Sequence, residues 1–118
     1  IDRPLICKLC YRGLAYPGSV GLLPKSPDYV ELADLPDYYS YRPDDARALL
    51  DQMGLTARDA GGYRLRPDGQ TTSLIVESSS TQRSEMDMLE IVRANWEAIG
   101  LRTTIKLEER TLYLQRIT

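Results

Sequence analysis

Between Thr72 and Leu107 the hydrophobic period changes twice, and that succession constrains the fold more than any other feature of the chain. From Thr72 to Glu77, Leu74 and Val76 alternate with Ser73 and Ile75, the two-residue period of a strand. From about Gln82 to Ile99, the residues Met86, Leu89, Val92, Trp96 and Ile99 keep a helical period, and Gly100 supplies a helix stop. From Leu101 to Leu107 the chain sets Leu101, Thr103, Ile105 and Leu107 against Arg102, Thr104 and Lys106, the pattern of a half-buried strand. Strand, helix, strand predicts a βαβ unit with two parallel strands and a right-handed crossover. A parallel pair wants neighbours and cover on both faces. The unit is therefore expected to belong to a larger α/β lobe, or to complete its sheet by self-association.

Helices are expected on either side of this unit. IDRPLICKLCYRG reads as a short helix ending at Gly13, with Asp2 as cap and Pro4 in the first turn. YRPDDARALLDQMGL reads as a second, with Pro43 at its first position, Asp44 and Asp45 at the favourable end of the dipole, and Gly54 as stop. Its stripe of Ala46, Leu49, Leu50 and Met53 is expected to pack in a core. Gly61-Gly62 and the turn Pro67-Asp68-Gly69 bracket Tyr63–Arg66 as a small hairpin. Arg110 to Ile117 begins a further helix. Leu14 to Tyr41, with Pro24, Pro27 and Pro36, reads as a long ordered loop whose Tyr29, Tyr38, Tyr39 and Tyr41 anchor it or, on the alternative reading, form an aromatic recognition surface.

Composition removes several chemistries. The 118 residues make one domain, 1–118, and contain no His, which takes away the commonest general base and the commonest metal ligand. Fifteen basic against 17 acidic side chains, a net charge of -2, exert no general pull toward nucleic acid or anionic membrane. No apolar run approaches the ~20 residues that a membrane-spanning helix needs, so no membrane insertion is expected. The sequence opens on Ile1, so the lack of a leader says nothing about compartment. Cys7 and Cys10 form a C-x-x-C pair. A zinc or redox reading is open, but two further metal ligands do not cluster nearby, and burial statistics favour a pair of buried free thiols. No metal and no cofactor are expected.

Taken in order, YRPDDARALLDQMGL, RDAGGYRLRPDGQTTSLIVE and EIVRANWEAIGLRTTIKLEER resemble the family 5 extracellular solute-binding proteins, the oligopeptide, dipeptide and nickel receptors of ABC importers. That family's Y-D-P-x-x-A-x-x-L-L-x-x-x-G helix falls on Tyr41, Pro43, Ala46, Leu49, Leu50 and Gly54. Its G-x-R-x-x-x-D-G hairpin falls on Gly62, Arg64, Asp68 and Gly69, its I-G helix end on Ile99 and Gly100, and its I-D-R opening on Ile1, Asp2 and Arg3. Arg42 stands where the family usually places a capping Asp, a change worth ~1 kcal/mol of helix stability. The resemblance implies an α/β, periplasmic-binding-protein type II-like lobe fragment, with a βαβ unit, a short hairpin and flanking helices. It implies part of the C-terminal lobe of a two-lobed receptor, without the other lobe and without the acidic W-x-x-D-Y-type segment further along. Capture of oligopeptide-like solutes by lobe closure, delivery to an ABC permease and a periplasmic or extracellular location follow as expectations. No covalent chemistry is expected.

Candidate ligand contacts come from the topology. Ser79, Ser80 and Thr81 lie where a parallel strand ends and a helix begins, the place where α/β sheets present hydroxyls and free N–H groups to ligands. The competing reading of Ser78 to Thr81 is ordinary helix capping. Glu85 sits one turn on, either toward a cleft or in solvent. Arg110 follows the second strand and Arg116 lies further along, both suited to a carboxylate. Trp96 belongs to the apolar face of its helix, in a core before a stacking site. Other functions remain open: a sensor of the same fold in an intracellular regulator, an interaction domain pairing through a sheet edge, and, least supported, an enzyme built on a carboxylate pair.

Overall fold

The computed structural model describes residues 1–17, 40–79 and 81–117. Tyr29, Tyr38, Tyr39, the three loop prolines and Ser80 lie outside the described residues. The elements run α1 (Arg3–Cys10), α2 (Pro43–Gln52), β1 (Ser73–Ser78), α3 (Arg83–Glu97), β2 (Arg102–Leu107) and α4 (Arg110–Ile117).

The βαβ unit forms as its periods require. β1 and β2 pair in parallel, with Leu74 opposite Thr103, Val76 opposite Ile105 and Glu77 opposite Lys106. Thr103 is buried and Ile105 half-buried while Arg102, Thr104 and Lys106 are exposed, so one face of β2 is covered. α3 packs on β2, and α1 packs on α3. Ile6 of α1 is the buried apolar side chain of that contact layer among the described residues. Asp2 caps α1 by accepting the Leu5 N–H at 2.9 Å, and its own N–H reaches Asn95 Oδ1 at 2.6 Å, fixing the start of α1 to α3.

The hairpin between α2 and β1 is reduced to two antiparallel bridges, Arg58 with Arg64 and Leu65 with Thr71. Its Arg64 is the most deeply buried large side chain among the described residues, only 1% exposed. The guanidinium donates from Nε to the Ile99 carbonyl at 2.8 Å, from Nη1 to Asp51 Oδ1 and the Leu55 carbonyl at 2.5 Å each, and from Nη2 to the Arg47 carbonyl at 3.3 Å. One side chain thus joins the end of α2 to the end of α3. Gly100, at φ +93°, lets the chain turn directly above it.

Two expectations need correcting. The α2 stripe is not core: Leu49 is 59% and Met53 69% exposed, and no α2 residue is buried. Periodicity marks an apolar face, but this one borders an open groove shared with Trp96 and Ile99 and is not closed over. Cys7 and Cys10 are free thiols as read, yet half-buried rather than buried. Arg42 precedes α2 without a side-chain cap and pairs instead with Asp45 at 3.2 Å.

Candidate functional site

β1 and β2 finish side by side, Ser78 opposite Leu107, and the Glu108 N–H extends the ladder by donating to the Ser78 carbonyl at 3.0 Å. Each strand then turns into a helix, so the starts of α3 and α4 meet at one sheet edge. Ser79, Thr81 and Gln82 from the first turn, with Glu108, Glu109 and Arg110 from the second, line a groove of about 330 Å³. An adjoining groove of about 260 Å³ adds Glu77, Glu85 and Tyr113 to Ser79, Gln82 and Arg110. Of the residues expected at the site, Ser79, Thr81, Glu85 and Arg110 therefore come together.

The two helix starts are satisfied differently. Glu109 folds back on α4, accepting the Thr111 N–H at 2.8 Å, the Leu112 N–H at 3.2 Å and the Thr111 hydroxyl at 3.1 Å. Those donors, the Thr111 N–H foremost, hold its carboxyl below the usual range. The start of α3 has no such device. Its capping position is Gln82, not a residue of the serine turn, and it makes no side-chain cap bond. The capping reading of Ser79 and Thr81 is thereby corrected: Gln82 continues extended at ψ 128°, which carries the helix start past the hydroxyls. Neither hydroxyl makes a hydrogen bond among the described residues, and both stay available to the groove.

Charge at the edge is largely paired. Arg116 grips the Glu77 carboxylate with one amino group at 2.7 and 2.8 Å, and its other amino group meets Glu108. Lys106 lies 2.5 Å from Glu108 and 3.6 Å from Glu77. The Arg116 hydrogen bond lowers the Glu77 carboxyl, and Glu77 in turn raises the Arg116 guanidinium. Lys106 is raised by Glu108 before any other neighbour. Arg110 is exposed and has no ion pair among the described residues, nor has Glu85. Among the described residues the grooves thus present an unspent cation, Arg110, an unspent carboxylate, Glu85, and the hydroxyls of Ser79, Thr81 and Tyr113, a set for holding a polar ligand by hydrogen bonds.

Sequence reasoning missed Glu77, Gln82, Glu108 and Tyr113. Glu77 and Lys106 had a usable signal, as the last charged positions of two strands expected to be parallel; Glu108 and Tyr113 had none before the path of α4 was known. At the other end of α3, Tyr41, Leu49, Trp96 and Ile99 share a separate groove of about 230 Å³, where Trp96 is half-buried. Among the described residues no three Cys, Asp or Glu side chains are grouped to hold a metal ion.

The family model for bacterial extracellular solute-binding proteins, family 5 Middle, matches residues 1–118. The chain belongs to that family. Among solved structures, an oligopeptide-binding protein OppA is 34% identical at a TM-score of 0.85, over 98% of this chain and 18% of that one. The periplasmic oligopeptide-binding protein of Thermotoga maritima bound to mannohexaose is 22% identical at TM-score 0.82, over 98% of this chain and 22% of its own. AppA of Bacillus subtilis in complex with a nonapeptide is 21% identical at TM-score 0.78, over 99% and 23%. No curated protein sequence matches. The family 5 chain thus spans about a fifth of the length of these structures, and shares with them the mixed helix and strand fold with its small parallel sheet. The family is one of solute binders, and no described helix is long and apolar enough to cross a membrane.

Proposed function

We propose that this chain is part of the second lobe of an extracellular or periplasmic receptor that captures oligopeptide-like solutes and passes them to an ABC permease. The observation that carries the reading is the juxtaposition of unspent polar groups at the C-terminal ends of two parallel strands: Ser79, Thr81, Glu85 and Arg110. In this reading Arg110 takes a ligand carboxylate, Glu85 an ammonium, and the two hydroxyls the carbonyls or N–H groups between them. Each interaction is modest while the groove is open to water. Closure of a second lobe excludes that water and strengthens them together, so affinity and closure are one event. Nothing in this set forms or breaks a covalent bond. The peptide class rests on the 34% identity to an oligopeptide-binding protein and on the nonapeptide held by the Bacillus subtilis relative. The mannohexaose of the Thermotoga maritima relative makes oligosaccharides the competing class.

Thermal unfolding of the full-length receptor against pools of di- to oligopeptides, oligosaccharides and nickel tests this directly. A ligand at ~100 times its dissociation constant stabilises by about 2.7 kcal/mol, a readily measured rise in midpoint. A rise with peptides that Arg110→Gln diminishes supports the assignment. A rise with oligosaccharides or nickel and none with peptides overturns the substrate class.

A further inference from the structure

The last helix poses a packing problem. α4 carries no buried residue, and Leu112, Leu114 and Ile117 stand exposed on it, so apolar burial does not hold it against the sheet. Something else fixes its direction. Arg116, in its last turn, reaches back eight positions to Glu108 and 39 positions to Glu77 at the end of β1. One amino group, Nη2, is shared between both Glu77 oxygens while the other meets Glu108, so the guanidinium bridges two carboxylates that lie on different strands' ends. Lys106, the cross-strand partner of Glu77, completes a closed set of two cations and two carboxylates joining β1, β2 and α4. The opposite end of α4 begins with Arg110, which lines both grooves and is committed to no carboxylate.

We propose that Arg116 is a positioning residue: by clamping α4 to Glu77 and Glu108 it holds Arg110 at the groove beside Ser79, and it does not itself meet the ligand. Both guanidinium amino groups are already spent on carboxylates, whereas those of Arg110 are not. The site thereby divides its two arginines, one to fix the helix and one to face the solute. Glu77 and the Oε1 of Glu108 serve the clamp, Glu108 Oε2 is buried without a hydrogen bond, and Glu85 is the groove carboxylate that has no ion pair among the described residues. The inference rests on the binding reading above for the role of Arg110, but the clamp is testable without any ligand.

The experiment measures amide hydrogen exchange across α4 in the ligand-free full-length protein, and peptide affinity by titration with the peptide pool, for the wild type, Arg116→Gln, Arg110→Gln and the charge swap Glu77→Arg/Arg116→Glu. Arg116→Gln is expected to speed α4 exchange by about threefold to tenfold and to weaken binding, the scale of losing a partly screened ion-pair network. The swap is expected to restore much of the α4 protection. Arg110→Gln is expected to weaken binding with α4 protected as in the wild type. Wild-type α4 protection in Arg116→Gln overturns the proposal, and it does so equally if affinity falls, since Arg116 then touches the ligand. Faster α4 exchange in Arg116→Gln, with no peptide bound by the wild type, supports the clamp and overturns the peptide reading instead.

Discussion

Arg64→Met is the sharpest test of what holds this chain together. Methionine keeps the unbranched apolar stem as far as the ε position, so the substitution removes the guanidinium and all its hydrogen-bond donors while retaining the stem's packing. Three carbonyls, those of Arg47, Leu55 and Ile99, and the Asp51 carboxylate lose a donor. Hydrogen bonds from a charged group contribute ~1.5–3 kcal/mol each but do not add, and breaking a buried charged cluster at one partner typically costs ~3–5 kcal/mol. For a chain of 118 residues the total stability expected is about 6–18 kcal/mol, so the loss is a large share of it. Urea unfolding followed by circular dichroism measures this. With a slope of about 1.5 kcal/mol per molar, the midpoint should fall by roughly 2–3 M at unchanged slope. Asp51→Asn supplies the contrast. Asp51 is 53% exposed, so its pairing with Arg64 is screened and should contribute no more than ~1 kcal/mol. The asymmetry identifies the carbonyl clamp, not the ion pair, as the stabilising part. An Arg64→Met midpoint within ~0.5 M of the wild type, or an Asp51→Asn loss of equal size, would refute the reasoning.

Gly100→Ala should cost about 2–3 kcal/mol, since an added Cβ meets Arg58 Nη1 at 2.5 Å and Arg64 Cγ at 2.9 Å on top of the strain at φ +93°. Gly54→Ala, at φ +84° but in open space, should cost only about 1 kcal/mol by the same unfolding measurement; equal losses would show that the close approach at Gly100 is relieved at no cost. The Asp59 carboxyl is lowered chiefly by the Thr71 hydroxyl at 2.7 Å, then by the N–H groups of Tyr63 and Gly61. A lowered carboxyl contributes its full stability above the unfolded value of 3.8 and loses it as pH falls through that value and below. The drop in unfolding midpoint between about pH 5 and pH 3 should therefore be shallower in Asp59→Asn than in the wild type, and an equally steep drop in both would count against it.

The parts of this fold legible in the sequence are those where period and punctuation agree. β1, α3 and β2 each show one period and a clear stop, and their assigned ends move by a residue or two. Pro43 and Gly54 bracket α2 in the same way. What the pattern leaves open is cover. Leu49 and Met53 sit at helical spacing, but spacing is a property of one element and burial is a property of two. Arg64 is the converse case. A hydropathy reading treats an arginine between two glycine turns as surface, and its burial became visible only when the carbonyls past the ends of α2 and α3 were seen to converge on it. The candidate site was legible to the extent that it follows from topology. The end of a parallel strand is a rule about place, and it put Ser79, Thr81 and Arg110 together. The division of labour between Arg110 and Arg116 needed the register that sets Glu77 opposite Lys106, and the path that returns α4 over both.

These two arginine clusters, at Arg64 and at Arg116, give the fold two kinds of rigidity. Around Arg64 the donors are buried and their acceptors are mostly backbone carbonyls, so neither salt nor pH within the ordinary range reaches them. Around Arg116 every partner is a side-chain charge with some exposure to solvent, and counter-ions within a screening length of about 8 Å at physiological salt compete for it. The floor of the groove, formed by the strand ends, is fixed by ladder hydrogen bonds. The wall formed by α4 buries no residue, and screened charges tie its far end to β1. A site built this way has one rigid side and one side whose placement responds to the charges near it. On the proposed binding reading, a ligand carboxylate at Arg110 would change that charge balance in the act of binding, so the softer wall would be the one that the solute helps to set.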